Sequence, residues 1–431
     1  MNATLTVYAK WASPTTGGGR GSSESGGGTQ TPAPVQTLDV DSRGSISTVP
    51  RLDKNTGIAE VVINAATMTV AFDNSAENID GKKTVVIAIP EVEGAKAYES
   101  TLPASTLTSS DVNKQLEIKA VIAAVTLPAN MLTQEAAEGA RNVSLTIARA
   151  DMSGIDEETR DLIGDRPVIQ LTLKIDDEQH SWNNENAPVT VSIPYTPTAE
   201  ELADPEHITI WYIDGSGNVV EVPTGRYDPA TGKVTFSTTH FSNYAVAYVA
   251  KTFNDLESVA WAKKPIEVLA SKGILKGTLE NEYTPQTNIT RADFLYFLVR
   301  ALGVDAKIDG NFDDISTDAY YYKEIGIARK LGITTGTGNN KFSPDANITR
   351  QDMMVLTERA LRMLKMLKQQ GTASDIDAFT DKSLVAPYAV NGVASVVKEG
   401  LIVGSGDKVN PLGNTTRAEA AVFLYRIYNK Y

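Results

Sequence analysis

The chain has 431 residues, of which 42% are hydrophobic and 22% charged, enough for about three domains with sizeable cores. Lys and Arg number 40 against 53 Asp and Glu, and the net charge of −13 argues against a nucleic-acid partner; the excess lies in residues 1–250 (17 basic, 32 acidic), while 251–431 balances at 23 and 21. There is no cysteine, which excludes disulfides, zinc thiolates and thiol catalysis, and no run of about 18 apolar residues that would span a membrane.

In chain order, Thr4–Trp11 alternates as a strand does. The N-terminus lacks the basic and apolar regions of a signal peptide, and Met1 reads as a start codon on a piece of a longer exported protein. Residues 1–12 are taken as the tail of a β-repeat. Residues 13–36 form a linker, with seven glycines between Gly17 and Gly28 followed by Pro32 and Pro34. From 37 to 250 the texture is β, with strands predicted at Val61–Ile63, Thr69–Phe72, Lys83–Ile89, Gln115–Ala123 and Val143–Ala148. Further strands are predicted at Ile169–Ile175, Val189–Ile193, Ile208–Ile213 and Lys233–Tyr248. Turn signals at Asp80-Gly81, Asp214–Asn218 and Asp228–Gly232 separate them. One short helix is predicted over Pro128–Gly139, capped by Thr133. Short, regularly punctuated strands predict one or two β-sandwiches. Past Lys251 the period becomes helical, over Val259–Lys272, Ala292–Leu302, Gln351–Lys368 and Ala418–Tyr428.

This last segment is a threefold repeat (251–311, 312–378 and 379–431). The blocks open on Phe253-Asn254-Asp255, Phe312-Asp313-Asp314 and Phe379-Thr380-Asp381. They pass through Gly273, Gly332 and Gly400, then a second glycine at Gly277, Gly336 and Gly404, and a Pro loop at Pro285, Pro344 and Pro411. They close on Thr290-Arg291-Ala292-Asp293, Thr349-Arg350-Gln351-Asp352 and Thr416-Arg417-Ala418-Glu419, spaced 59 and 67 residues apart. A threonine followed three residues later by an acid is a helix cap with the acid at the positive end of the dipole. The arginine is not explained by helix stability, because a first-turn cation opposes the dipole at a cost of a few tenths of a kcal/mol. Its planar fork suits a carboxylate or phosphate.

These motifs resemble a triplet of S-layer homology domains, whose hallmark is Thr-Arg-Ala-Glu. The resemblance implies an all-α, pseudo-threefold trimer of helix–loop–helix repeats with a central three-helix bundle, following the β-sandwich-like region in a multidomain chain. It also implies a secreted protein anchored non-covalently in the bacterial cell wall or S-layer, through an anionic secondary polysaccharide carrying pyruvylated amino sugars. No cofactor, metal, nucleic acid or membrane span is implied; a copy of the chain in a surface layer is a further expected partner. Carried over by residue, the ligand contacts are Arg291, Arg350 and Arg417, the opening acids Asp255, Asp314 and Asp381, and the groove glycines Gly277, Gly336 and Gly404. An aromatic of the first helix maps to Trp261, Tyr322 and Tyr388. The departures are Asp for Glu in the first two tetrads and Gln351 for Ala. A ketal-held pyruvate keeps a carboxylate that arginine can pair with twice, and an aromatic face can stack on a pyranose.

Two other functions stay open. His240-Phe241-Ser242 matches the cleavage triplet of self-cleaving domains such as the ZU5 type, in which Ser attacks the preceding carbonyl; a bend within a strand hairpin is the plainer reading. An enzyme or a glycan-binding protein with its site in 37–250 is the other, although the acidic runs Asp156–Glu158 and Asp176–Glu178 are what a chain with 53 acids contains anyway. The expectation is therefore a non-enzymatic anchor. His180, His207 and His240 are isolated, and Asp214–Asn218 lacks the glycine and terminal acid of a calcium loop. Met353, Met354, Met363 and Met366 read as core.

Overall fold

The computed structural model describes residues 38–431; the β-repeat tail at 1–12 and the linker at 13–36 lie outside the described residues. Residues 38–250 build two large sheets. The first runs, in spatial order, Asp39–Val40, Ser45–Ser47, Lys83–Ala88, Lys114–Lys119, Ala124–Pro128, Val189–Pro194, Lys233–Thr238 and Arg226–Asp228. The second runs Val219–Val222, Ile208–Ile213, Asn243–Tyr248, Val168–Ile175, Asn142–Arg149, Ala97–Pro103, Ile58–Val62 and Arg51–Asp53, with Glu178–His180 paired to Val168–Ile175. Most pairs are antiparallel; Lys83–Ala88 pairs in parallel with both Ser45–Ser47 and Lys114–Lys119, as Ile58–Val62 does with Ala97–Pro103. Alternation decides which face is inside. Val189, Val191 and Ile193 point inward and are fully buried, and Val125, Leu127, Leu145, Ile147 and Phe236 meet them in one continuous core that both sheets share.

Three short helices decorate this region: α1 (Ala65–Asn74), α2 (Glu157–Ile163) and α3 (Ala199–Ala203). The predicted strand Thr69–Phe72 is thus part of α1. Asn64 caps that helix by accepting from Thr67 N at 2.9 Å, and Thr67, Met68 and Ala71 are buried at helical spacing, so a cap and a core-facing stripe outweigh β-branched propensity. The predicted helix over Pro128–Gly139 is a string of turns. Met131 and Leu132 are both buried, and Met131 O is taken by Trp182 Nε1 at 3.0 Å and Asn184 Nδ2 at 2.9 Å, so it is not left to accept a helical bond. The segment Lys233–Tyr248 is no hairpin. Its first half lies in one sheet and its second half in the other, and residues 239–242 make the crossing. The acidic runs are local structure: Asp156 caps α2, accepting from Thr159 N at 2.8 Å, and Asp176 accepts from Arg141 N and Asn142 N across the turn after its strand.

From residue 260 onward the helices are α4 (Ala260–Ser271), α5 (Arg291–Leu302), α6 (Tyr322–Lys330), α7 (Arg350–Met363), α8 (Val390–Lys398) and α9 (Arg417–Lys430). Each repeat contributes two. The second helix of each packs on the first helix of the next: α5 on α6, α7 on α8, and α9 back on α4. α5 also touches both α7 and α9. The core beneath holds Phe294, Phe297, Met353, Met354, Phe423 and Ile427. The predicted helix Gln351–Lys368 stops at Met363, because Lys365 takes a left-handed φ of 57°; the longer connection that follows forms a 3-10 turn, Ala373–Ile376, seated on α8.

Candidate functional site

The three Thr-Arg tetrads meet at one end of the helical part, where backbone bonds close a ring. Ile289 N donates to Thr415 O at 2.9 Å, Ile348 N to Ile289 O at 3.2 Å, and Thr415 N to Ile348 O at 3.3 Å. Equivalent positions of three repeats therefore each donate to one neighbour and accept from the other. The threonines cap α5, α7 and α9 through the backbone N–H of Asp293, Asp352 and Glu419.

The arginines occupy the first position of these helices, and from there the side chain leaves sideways toward the next repeat. Arg291 Nε donates to Phe342 O at 3.1 Å, Arg350 Nε to Val409 O at 3.1 Å, and Arg417 Nε to Tyr283 O at 2.9 Å. This inter-repeat bond is one reason for the cation that the helix dipole disfavours. Beyond it the three differ. Arg417 is buried, at 3% exposure; its η1 nitrogen meets Asp293 at 2.7 Å and its η2 donates to Lys276 O at 2.7 Å. Arg350 η1 stands 3.8 Å from Glu419. Among the described residues the Arg291 side chain hydrogen-bonds only through Nε, with its guanidinium carbon 5.0 Å above the Phe342 ring. Burial lowers the pKa of Arg291, and the nearby Asp352 counters that shift.

The opening acids work on the backbone. Asp255 accepts from Tyr283 N (3.0 Å) and Thr284 N (2.6 Å), Asp314 from Phe342 N and Ser343 N (both 2.8 Å), and Asp381 from Val409 N (3.0 Å) and Asn410 N (2.7 Å). Each carboxylate thus fixes the loop whose carbonyl receives an arginine. Burial pushes Asp314 upward, but its two backbone N–H bonds outweigh that and hold it below the usual carboxylate range. The groove glycines sit against the same loops. A Cβ on Gly277 would lie 2.5 Å from Glu282 O, one on Gly336 2.7 Å from the Phe312 ring, and one on Gly404 2.6 Å from the Phe379 ring.

The residue in register with Trp261 and Tyr388 in the second repeat is Tyr320, two positions before the expected Tyr322. Tyr322 opens α6, packs half-buried against the helical core, and gives its carbonyl to Asn311 at 2.7 Å. Tyr320 instead donates its hydroxyl to Asp293, as Tyr388 does to Asp352 at 2.7 Å; burial first, and then that carboxylate, pushes the Tyr388 pKa up to about 12. Trp261, Tyr320 and Tyr388 each stand twelve residues before the glycine ending their helix (Gly273, Gly332, Gly400). That constant spacing was the usable signal. Two grooves are built in this way, each joining an arginine, the tetrad acid of the next repeat and an aromatic of the third: Arg417–Asp293–Tyr320 and Arg291–Asp352–Tyr388. Arg350, Glu419 and Trp261 hold the corresponding sequence positions of a third. A residue that sequence reasoning did not single out, Lys276, stands in the first, with Nζ 3.5 Å from the centre of the Tyr320 ring.

In the β region Ser242 Oγ donates to Ile213 O at 3.2 Å, and the buried His240 Nε2 has no partner among the described residues. The triplet therefore shows no serine–histidine bond.

A cyclic array of helical pairs, each joined to the next through an arginine, defines a repeat-built helical module. It matches the S-layer homology domain at residues 252–295, 311–354 and 378–421, so the C-terminal part of the chain is a triplet of S-layer homology domains. The chain is 29% identical over 86% of its length to an amylopullulanase of Thermoanaerobacterium thermosulfurigenes, covering 18% of that protein. It is 36% identical over 42% of its length to exoglucanase XynX of Acetivibrio thermocellus, covering 16%, and 30% identical over 42% to the S-layer protein sap of Bacillus anthracis, covering 21%. The chain thus spans about a fifth or less of the curated relatives it matches. It is a secreted, cell-wall-attached surface protein, and its S-layer homology domains serve to anchor it to the wall.

Proposed function

We propose that the grooves hold an anionic secondary cell-wall polysaccharide through its pyruvylated amino sugars, and that the helical part is a pseudo-threefold trimer about a central bundle of α5, α7 and α9. The ketal carboxylate meets an arginine fork, and a pyranose face lies on the neighbouring aromatic ring. The observation that carries this reading is Arg291: its η nitrogens have no hydrogen-bond partner among the described residues, and it stands beside Asp352 and Tyr388, a ring 59% exposed. A partly buried cation with unspent donors beside an exposed aromatic suits a carboxylated sugar. The opening acids and groove glycines hold the loop that frames each groove.

The region 38–250 is read as a non-enzymatic spacer. Of the acids in Asp156–Glu158 and Asp176–Glu178, Asp156 serves a cap and Asp176 a turn. The test is co-sedimentation of the chain with purified wall sacculi, before and after chemical removal of the secondary polymer. Binding that vanishes with the polymer is expected. Equal binding to stripped sacculi would overturn the reading.

A further inference from the structure

We propose that the three grooves are divided in labour: the Arg417 groove is a clasp that closes the ring of repeats, and ligand enters only the Arg291 and Arg350 grooves. The inference rests on the polysaccharide-binding reading and adds which sites of this chain carry it.

Repeats one and two, and two and three, are joined by the chain itself. The junction of repeat three with repeat one has no covalent link, and non-covalent contacts alone hold it. That junction is where the arginine is spent. All three guanidinium nitrogens of Arg417 are engaged, on Tyr283 O, Lys276 O and the Asp293 carboxylate. Its charged plane also lies over two rings of the first repeat, 4.6 Å from the centre of Tyr283 and 5.5 Å from that of Phe297, and Tyr283 returns its hydroxyl to Arg417 O at 3.1 Å. A ligand carboxylate would have to displace Asp293 from a buried ion pair, which is unfavourable.

A second observation closes the same groove independently. Tyr320 is the ring on which a sugar would stack, and Lys276 already covers its face, while its hydroxyl is held by Asp293. The Tyr388 hydroxyl is held by Asp352 in the same way, but among the described residues no cation covers the Tyr388 or Trp261 ring. The position of Lys276, just before the second glycine, is Thr335 in the second repeat and Val403 in the third. Both are exposed; Tyr320, at 46%, is itself exposed, as are Tyr388 and Trp261 at 59%, so the lysine over its face is what sets its groove apart. Two open grooves on one rigid ring also make the module bivalent toward a repeating polymer, so that each groove multiplies the hold of the other.

The experiment is sacculus co-sedimentation and thermal melting of the full chain carrying Arg291→Gln, Arg350→Gln, Arg417→Gln or Lys276→Ala. Arg291→Gln and Arg350→Gln each lose one inter-repeat Nε bond and are expected to weaken binding about tenfold or more while melting only slightly lower than the parent, by less than Arg417→Gln does. Lys276→Ala is expected to bind as the parent does, and Arg417→Gln to melt about 5 °C or more lower. Loss of binding in Lys276→Ala, or loss in Arg417→Gln with parental melting, would overturn the division while leaving polysaccharide binding standing. Parental binding by all four variants to polymer-bearing sacculi would remove the arginines from the site, and the division with them.

Discussion

Lys272 donates from Nζ to Gly225 O at 2.9 Å, and at the same distance to Ile208 O. A lysine at the end of the first helix of the S-layer homology triplet is thereby sunk into the β region, with 2% of its surface exposed. Tyr428, from the last helix, donates its hydroxyl to the same Gly225 O at 3.2 Å, and the Arg226 guanidinium stacks on that ring at 3.7 Å. Glu206 of the β region receives Tyr425 and Lys264 nearby. The junction uses Lys264 and the C-terminal ends of α4 and α9, whereas the grooves use the N-terminal ends of α5, α7 and α9. The 14 residues of α9 set the two sites about 20 Å apart. The arginine-bearing ends of these helices thus lie away from the β region.

The buried amine gives this junction a pH dependence. Burial, aided by Arg226, lowers the Lys272 pKa from 10.5 to about 7, whereas the unfolded chain keeps the ordinary value. Between those limits the unfolded state binds more protons, so stability rises with pH across about 7 to 10 and is lowest below 7. The slope from this one group is at most about 1.4 kcal/mol per pH unit. Lys272→Met keeps the length and removes the titration. Melting curves of parent and variant are expected to diverge in favour of the parent as pH rises from 7 to 10. Parallel curves would show that the amine stays charged in the fold.

The groove glycines can be separated from ordinary turn glycines. Gly332 and Gly336 both adopt left-handed backbone, φ 72° and 77°, but a Cβ on Gly332 meets nothing within 4 Å while one on Gly336 collides with Phe312 and Lys341 O. Alanine at either carries the φ strain, about 1 kcal/mol. Only Gly336→Ala must also shift the loop whose Phe342 carbonyl receives Arg291. Gly336→Ala is expected to melt lower than Gly332→Ala and to bind sacculi more weakly; equal melting and binding would deny the loop its framing role.

Local signals were the legible ones. Thr290, Thr349 and Thr416 announce their helices because a cap needs only the next three residues, and Val189–Ile193 announces a strand because alternation is read within one element. What spans the chain was hidden. Lys272 before Gly273 looks like a cation soothing a helix C-terminus, and nothing nearby in sequence names Gly225 as its partner. Tyr320-Tyr321-Tyr322 offers three candidates for one groove, and the phase is fixed only by the downstream glycine. The fate of each arginine depends on the acid of another repeat, 124 residues away for Arg417 and Asp293.

The His240-Phe241-Ser242 crossing is expected to stay intact. Self-cleavage needs Ser242 activated toward the Phe241 carbonyl, and its hydroxyl is donated to Ile213 O. The His240 carbonyl is held by Thr238 Oγ1 at 2.9 Å and Tyr244 OH at 2.6 Å. Burial, with Lys323 adding to it, lowers the His240 pKa, so a neutral imidazole persists near neutral pH. Mass spectrometry after prolonged incubation is expected to find a single species of full length. A pair of fragments divided between residues 241 and 242 would refute this.

The tetrad acid sets how each groove behaves, and exchanging Asp for Glu tests it. Glu419 is long enough to fold back on its own helix, accepting from Thr416 N at 2.9 Å in a complete capping box, and Arg350 is left 3.8 Å away. Asp293 is one methylene shorter and points outward to Arg417 and Tyr320. Asp293→Glu should therefore complete the box on α5, worth about 1 kcal/mol. It should also loosen the Arg417 ion pair, whose loss as a buried contact costs about 3 kcal/mol. The net result expected is a lower melting temperature in spite of the better cap. Asp352→Glu makes the same exchange where no arginine bond exists to lose, only the contacts with the Tyr388 hydroxyl at 2.7 Å and Thr349 Oγ1 at 2.9 Å, and should leave melting within about 1 kcal/mol of the parent. A melting loss in Asp352→Glu equal to that in Asp293→Glu would show that chain length at the cap, rather than the clasp between the first and last repeats, governs the stability of the ring.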